Sequence, residues 1–382
     1  MSLLPGKKVR QTYRFDGGVS VDLGPNWRIG AMMDFKSVNY SKRKDLRYTN
    51  YGLDMKVAPG IMWHSGNLAF GLSGVYRKNG ETPVAEQIGT GETQYDAFLD
   101  KGLYYGEYEL WTGSGVHLSE AGVSGFPIRE NLYGAGFQMQ AGNVYWDVEY
   151  LKGDGSIGEK EQIWFRFPSN NINWHFSDRF RTGNLTHVLK MNATWRKMEN
   201  YETILEKVSE NGISTTVEYG SNKIFTRENT TFNMSYGISS SVWGLVFYGG
   251  IIETNSQVSQ MYPYKADQRL DRWFFGISPR LILGSWNINL GLKYAEGRME
   301  DSLDKVSDSS GVQTEPYRLD SYQVRYREHM TVVNFTPEMT VKYSLRNGLY
   351  VAVDAFWQKG LKVVYLAGST RYGASLRLGY DF

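Results

Sequence analysis

Few residues in this chain are of a type and spacing that could do chemistry. The five histidines are scattered. Hydrolysis needs a Ser–His or Asp–His pair converging on one point. Only His117 and His329 lie in or near long polar stretches where such a pair could form, and surface histidines are the simpler account of both. "GDGSIG" at 153–158 satisfies GxGxxG, but no helix follows it and no acidic residue stands where a dinucleotide fold requires one, so it reads as a loop turn. "MEDSLDKVSDSS" offers Glu300, Asp301, Asp304 and Asp308 as oxygen ligands for Ca²⁺. It lacks the DxDxDG order, and a solvated loop explains it. "KGLYYGEYELW" crowds Tyr104, Tyr105, Tyr108 and Trp111 into the longest polar stretch, 77–131. Such a cluster suits stacking on sugars, docking of a partner, constriction of a pore, or packing of the loop on itself. No P-loop, HExxH or GxSxG occurs, so neither an enzyme nor a cofactor is expected.

The elements that must carry these residues are strands. "YRFDGGVSVDL" sets Tyr13, Phe15, Val19 and Val21 against Arg14, Asp16, Ser20 and Asp22; "WRIGAMMDFK" and "LDMKVAPGIMW" continue the alternation. Period-two patterning of this kind recurs to the end of the chain and defines β-strands with one apolar and one polar face. Short turns fall at 24–26, 65–67, 142–143, 183–184, 239–241, 284–285 and 345–348. Long polar stretches fall at 37–50, 77–131, 151–170, 196–223, 253–271, 296–322 and 358–370. Seven short turns join fourteen strands, and the last segment makes fifteen.

Composition fits this reading only when alternation is considered. Mean hydropathy is −0.44 and 21% of residues are charged, values ordinary for a soluble protein, yet 15% are aromatic, 42 are Gly and none is Cys. A barrel averages outward apolar residues with inward polar ones, which hides it from windows built for helices. The net charge of +2 gives no reason to invoke nucleic acid. A soluble β-sandwich or propeller is the alternative. Against it stand the aromatics at strand ends on the apolar face, Trp27, Trp63, Trp146, Trp195, Trp243, Trp286, Trp357, Tyr372 and Tyr380, which are placed as membrane-interface anchors.

The closing stretch "STRYGASLRLGYDF" alternates from Tyr372 to Phe382, a rise of about 25 Å at a tilt of about 40°, the height of the apolar band of a transmembrane barrel. It resembles the C-terminal strand of bacterial outer-membrane β-barrels. That resemblance implies a transmembrane antiparallel up-and-down β-barrel in the cell outer membrane, with the C-terminus periplasmic, short periplasmic turns, long extracellular loops, and Phe382 as a signal to the barrel assembly machinery. Its partners would be outer-membrane lipid and, at the surface, a lipoprotein or transporter. "VAPGIMW", "GISPRLIL" and "NFTPEMTV" place Pro59, Pro279 and Pro337 on the lipid-facing register. Each is expected to mark a bulge, and prolines so placed resemble those of Bacteroidota-type barrels. Residues 1–382 read as one barrel domain. Single-chain barrels usually have an even strand number, so the visible fifteen are expected to lack a preceding strand and a signal peptide.

On the polar face the register points Arg14, Arg28, Lys56, Arg280, Lys293, Arg371 and Arg377 inward with Glu338 and Asp354. Lys36, Lys190, Arg196, Lys342, Asp16, Asp22, Asp34, Asp54, Asp147, Glu149 and Asp381 share that face. The signs nearly cancel, so such a pore is weakly selective or its charges pair across the lumen. A passive porin-like channel for small polar solutes is the leading expectation, with 77–131 as lid. A non-conducting accessory barrel that binds a surface partner through its loops is the second.

Overall fold

In the computed structural model, the described residues are 8–42, 47–86, 98–100, 108–110, 127–159, 162–210, 212–259, 264–305, 319–345 and 348–380. The strands are β1 (Lys8–Asp22), β2 (Trp27–Lys42), β3 (Arg47–Ser65), β4 (Leu68–Glu86), β5 (Phe98–Asp100), β6 (Tyr108–Leu110), β7 (Ile128–Ala141), β8 (Val144–Glu159) and β9 (Gln162–Arg166). They continue as β10 (Ser169–Thr182), β11 (Leu185–Glu210), β12 (Ile213–Ser239), β13 (Trp243–Ser259), β14 (Tyr264–Leu283), β15 (Trp286–Lys305), β16 (Asn334–Ser344), β17 (Leu349–Gly360) and β18 (Thr370–Tyr380). One helix, α1 (Leu319–Thr331), precedes β16.

The fold is an antiparallel up-and-down transmembrane β-barrel. Fifteen strands follow one another in chain order through the sheet, omitting only the β5–β6 ribbon and β9. β9 is not a separate wall strand. Arg166 and Ser169 keep the same register against both β8 and β11, so β9 and β10 are one strand interrupted at Phe167-Pro168. Among the described residues no ladder joins β1 to β18. Since every pair on the path is antiparallel, these two edge strands run in the same direction.

All seven short turns lie where the alternation breaks. Gly66, Gly142, Gly183 and Gly284 open two-residue turns with φ of 56–59°. This is the left-handed backbone a tight hairpin needs at its first central position, and it matches the twist of the flanking strands. Two aromatic rows edge the apolar face eight residues apart, as in Trp286 and Tyr294 of β15, Phe335 and Tyr343 of β16, and Tyr372 and Tyr380 of β18. With the usual strand rise and barrel tilt, the band between the rows is about 20 Å high. Val19, Leu72, Leu376 and Leu378 lie in it exposed, as lipid-facing residues must.

The long polar stretches are corrected by the structure. They are not loops from their first residue: β11 runs on from Trp195 to Glu210, and β12 to β15 extend similarly beyond the aromatic row. Within 77–131, β4 continues to Glu86, β7 begins at Ile128, and β5 and β6 form a small ribbon. Tyr108 lies in that ribbon opposite Asp100, while Tyr104, Tyr105, Trp111, His117 and Phe382 lie outside the described residues. The GxGxxG match is the top of β8, where Gly153 and Gly155 lie against Ser169 and Phe167.

The prolines are corrected too. Around Pro59, Pro279 and Pro337 the ladder to the following strand lapses for two residues and resumes in the same register, so none makes a bulge. The true register shifts are higher, in β11–β12 and β8–β9. There Trp164, Phe165, Ile224, Phe225 and Val258 form a buried apolar knot at the long-hairpin end.

Candidate functional site: the inner wall

Which face is concave follows from two ion pairs. Lys56 Nζ of β3 reaches Glu149 Oε2 of β8 at 2.5 Å, and Arg196 Nη2 of β11 reaches Glu130 Oε1 of β7 at 2.8 Å. Each pair spans two intervening strands, about 14 Å along a flat sheet. Side chains bridge that only on the inside of a curve, so the polar face lines the interior. Glycine permits the curvature at its tightest point: a Cβ on Gly134 of β7 would run into the Tyr150 carbonyl of β8, and one on Gly136 would meet Ser73 Oγ.

Between β3 and β11 three interior cations each meet a carboxylate: Lys56 with Glu149, Arg77 with Asp54 and Arg196 with Glu130. Arg77 holds Asp54 through two hydrogen bonds of 2.8 and 2.7 Å. Glu130, almost fully buried, accepts from Ser169 as well as Arg196, and Asn173 donates to Glu149 at 3.2 Å. Within this network Val75, Leu132 and Leu151 pack with Ala58 as a small apolar cluster. This side of the wall is a braced structure.

At the edge, Arg14 pairs with Asp34 and Asp16, and Arg28 with Asp22. From β14 to β18 the arrangement differs. Lys293 lies over the Phe274 ring at 4.3 Å, Lys342 over Tyr350 at 3.9 Å and Arg371 over Phe356 at 5.7 Å. Each ring covers an interior glycine directly opposite it: Phe274 on Gly250, Tyr350 on Gly379 and Phe356 on Gly373. The ring therefore lies along the wall and presents its face to the cation. Arg280 donates to the Asn287 amide oxygen at 2.9 Å. Asp354 takes Arg377 at 2.7 Å through both guanidinium donors, with Thr340 and Ser375 on the same carboxylate. Glu338 stands opposite Phe356.

The anchor aromatics divide between the two rows. Trp27, Trp63, Trp146, Trp243, Trp286 and Tyr380 belong to the turn end; Trp195, Trp357 and Tyr372 belong to the long-hairpin end. Trp286 and Tyr343 rings are 4.7 Å apart, and Tyr294 sits 5.2 Å from Trp273 and 5.0 Å from Phe335.

Sequence patterning did not reveal α1. A Cβ on interior Gly297 of β15 would strike the Met330 carbonyl, and Arg327 pairs with Asp301, so the helix lies on the interior face of β15. The Glu328 carboxylate clips it to the segment leading into β18, accepting from the backbone N–H groups of Val364, Tyr365 and Leu366 at 2.5, 2.8 and 2.6 Å. Desolvation pushes the Glu328 carboxyl pKa up, but those three donors outweigh it and hold the group below the usual glutamate range. His329 is exposed in the last turn of this helix. Within the acidic run, Glu300 and Asp301 occupy opposite faces of β15, paired with Arg298 and Arg327, while Asp308 lies outside the described residues. Among the described residues no group of three His, Asp or Glu side chains is placed to hold a metal.

A family model described as "Family of unknown function (DUF6850)" matches residues 1–382. No curated protein matches the chain. Several solved outer-membrane proteins are similar to it at low identity. The β domain of the Bordetella autotransporter Brka is 14% identical, covering 75% of this chain and all of that one, with a TM-score of 0.32. The alcaligin outer-membrane receptor FauA of Bordetella pertussis is 10% identical, covering 98% of this chain and 64% of the receptor, at 0.36. The ferripyoverdine receptor of the Pseudomonas aeruginosa outer membrane is 10% identical, covering 98% and 58%, at 0.44.

Proposed function

The chain belongs to the DUF6850 family, and we propose that it is an outer-membrane barrel through whose lumen small polar solutes pass passively. The observation that carries this reading is the segregation of the two faces. A lipid-facing apolar band lies between aromatic rows, while the charged and amide side chains line a concave interior. In this reading the long hairpins face outward from the cell, β18 descends to the periplasm, and the partners are lipid and the assembly machinery. The strand prolines favour a Bacteroidota source, and the protein acts without catalysis or nucleic acid. α1 and residues 361–369 form a partial lid at the outer mouth.

Single-channel recording tests this. Steady ohmic openings are expected in planar bilayers, with conductance rising when α1 is released by Glu328→Ala. Silence from a barrel shown to be folded by heat-modifiable gel mobility would overturn it.

One observation favours a second reading, an accessory barrel that holds a surface partner. The extensions of β11 to β15 enclose a polar cleft of about 530 Å³ lined by Lys197, Glu228, Asn255, Asp267, Arg269 and Glu300. Under that reading the folded barrel is electrically silent and a partner survives mild detergent extraction with it.

A further inference from the structure

Beyond the aromatic row at the long-hairpin end, the inward face of β13 and β14 is closed: Ser256, Val258, Gln268 and Leu270 are buried. The polar cleft between β11 and β15 opens the other way. Lys197 stands two residues past Trp195 on the same face of β11, and Glu228, Asn255, Arg269 and Glu300 follow it as direct partners across β12 to β15. The next row outward along the strands, Thr226, Gln257, Asp267 and Ser302, is also made of direct partners. Both rows share the face of Phe232, Ile251 and Trp273, which are exposed in the apolar band. The cleft of about 530 Å³ is therefore continuous with the lipid-facing surface and does not line the lumen.

The two rows are held differently. In the first, Glu228 accepts from Trp195 Nε1 at 2.6 Å, Asn255 donates to Glu253, Arg269 pairs with Glu253 and Asp271, and Glu300 pairs with Arg298. In the second, none of the four side chains has a hydrogen bond or ion pair among the described residues. Asp267 Oδ1 is also shut off from solvent, and such an acceptor gains from any donor a ligand brings. The row runs about 14 Å across four strands and offers both donors and acceptors, as the hydroxyls of a sugar require. Glu228, Asp267 and Glu300 outnumber Lys197 and Arg269 in the cleft, which disfavours a phosphate group. Depth points the same way. At the usual rise and tilt the two rows stand about 10 and 15 Å beyond Phe232, Ile251 and Trp273. The headgroup zone of a simple phospholipid leaflet is only about 5–8 Å thick, whereas a saccharide head reaches further.

We infer that the cleft binds the saccharide headgroup of an outer-leaflet glycolipid. Thr226, Gln257, Asp267 and Ser302 contact its hydroxyls, and its acyl chains lie against Phe232, Ile251 and Trp273. This rests on the reading in which the long hairpins face outward from the cell, and is independent of passage through the lumen.

The test reconstitutes the full chain into nanodiscs of phosphatidylethanolamine with equal small fractions of digalactosyl diacylglycerol and phosphatidylglycerol. The barrel is released in a detergent without a sugar head, and the retained lipids are counted by native mass spectrometry. The galactolipid is expected to be retained in preference to phosphatidylglycerol, and the preference should fall about tenfold in the double variant Gln257→Ala, Asp267→Asn, as for the loss of two hydrogen bonds. Heat-modifiable gel mobility confirms that the variant is folded. Thr49→Ala, on the outward register of β3, should leave the preference unchanged. Equal retention of the two lipids, preference for phosphatidylglycerol, or a galactolipid preference that the double variant keeps overturns the site. A surface protein that co-purifies with the wild type and not with the double variant, without a galactolipid preference, overturns it in favour of a protein partner. Ser209→Cys, near the end of β11 in a chain with no cysteine, tests the underlying reading separately. Failure of an impermeant maleimide to label it on whole cells overturns the outward placement of the hairpins and the outer-leaflet assignment with it, whereas labelling without a galactolipid preference overturns the site alone.

Discussion

Lys56 Nζ and Glu149 Oε2 are 2.5 Å apart although β4 and β7 lie between their strands. Their side chains are only 27% and 16% exposed, so removing one partner strands the other's charge in a poorly hydrated place. Glu149→Ala is expected to destabilise the barrel by about 1–3 kcal/mol. Adding Lys56→Met should recover most of that loss, read as the urea midpoint for disappearance of the heat-modifiable band. Losses that simply add would show that the two residues are uncoupled.

The same curvature makes a glycine prediction. Gly134→Ala puts a methyl group into the Tyr150 carbonyl, a backbone atom that cannot step aside. Gly74→Ala, opposite Pro59 on the outer face, meets nothing within 4 Å. Folded barrel should be nearly lost in the first variant and kept in the second, as measured by membrane level and gel mobility. Equal yields would mean that β7 and β8 are not so tightly bent.

Between the aromatic rows the fold was legible because lipid on one side and water on the other enforce a period of two, and Gly-Asn or Gly-Ser pairs mark where a strand must reverse. Beyond the rows both faces are wet, so 196–223 and 253–271 lose alternation and read as loops, although β11 to β14 run through most of their described residues. α1 was invisible for a related reason: "LDSYQVRYREHM" carries no apolar stripe, and the helix is held by Glu328, Arg327 and the close approach at Gly297. The inward register of Lys293 and Arg371 could be read from alternation. That rings hold them required the pairing of neighbouring strands, which no local pattern encodes.

The Glu328 clip should depend on pH with a definite sign. Its carboxyl titrates below the usual glutamate range when folded. Its stabilising contribution is therefore fully present above the ordinary value of about 4.3 and is lost as pH falls through the lowered folded value. At neutral pH the amides of Val364, Tyr365 and Leu366 should exchange slowly in the wild type and faster in Glu328→Gln. Acidification through the folded value should bring the two together. Identical protection at neutral pH would show that the carboxylate does not hold α1 in place.

The prolines offer the last prediction, because two accounts of them diverge. A proline that forces a bulge shifts register, and replacing it leaves an extra residue to accommodate. A proline that only omits a donor leaves the register intact, and here the β16–β17 ladder resumes in phase on both sides of Pro337, from Phe335 opposite Lys359 to Glu338 opposite Phe356. The backbone N–H of Pro337→Val should therefore find an acceptor on β17 after a small local adjustment. Stability should hold within about 0.5 kcal/mol of the wild type or rise, and the new amide should be protected from exchange. A large loss of stability, or an amide that exchanges freely, would instead mean that β16 and β17 are held apart at this level by more than the missing donor.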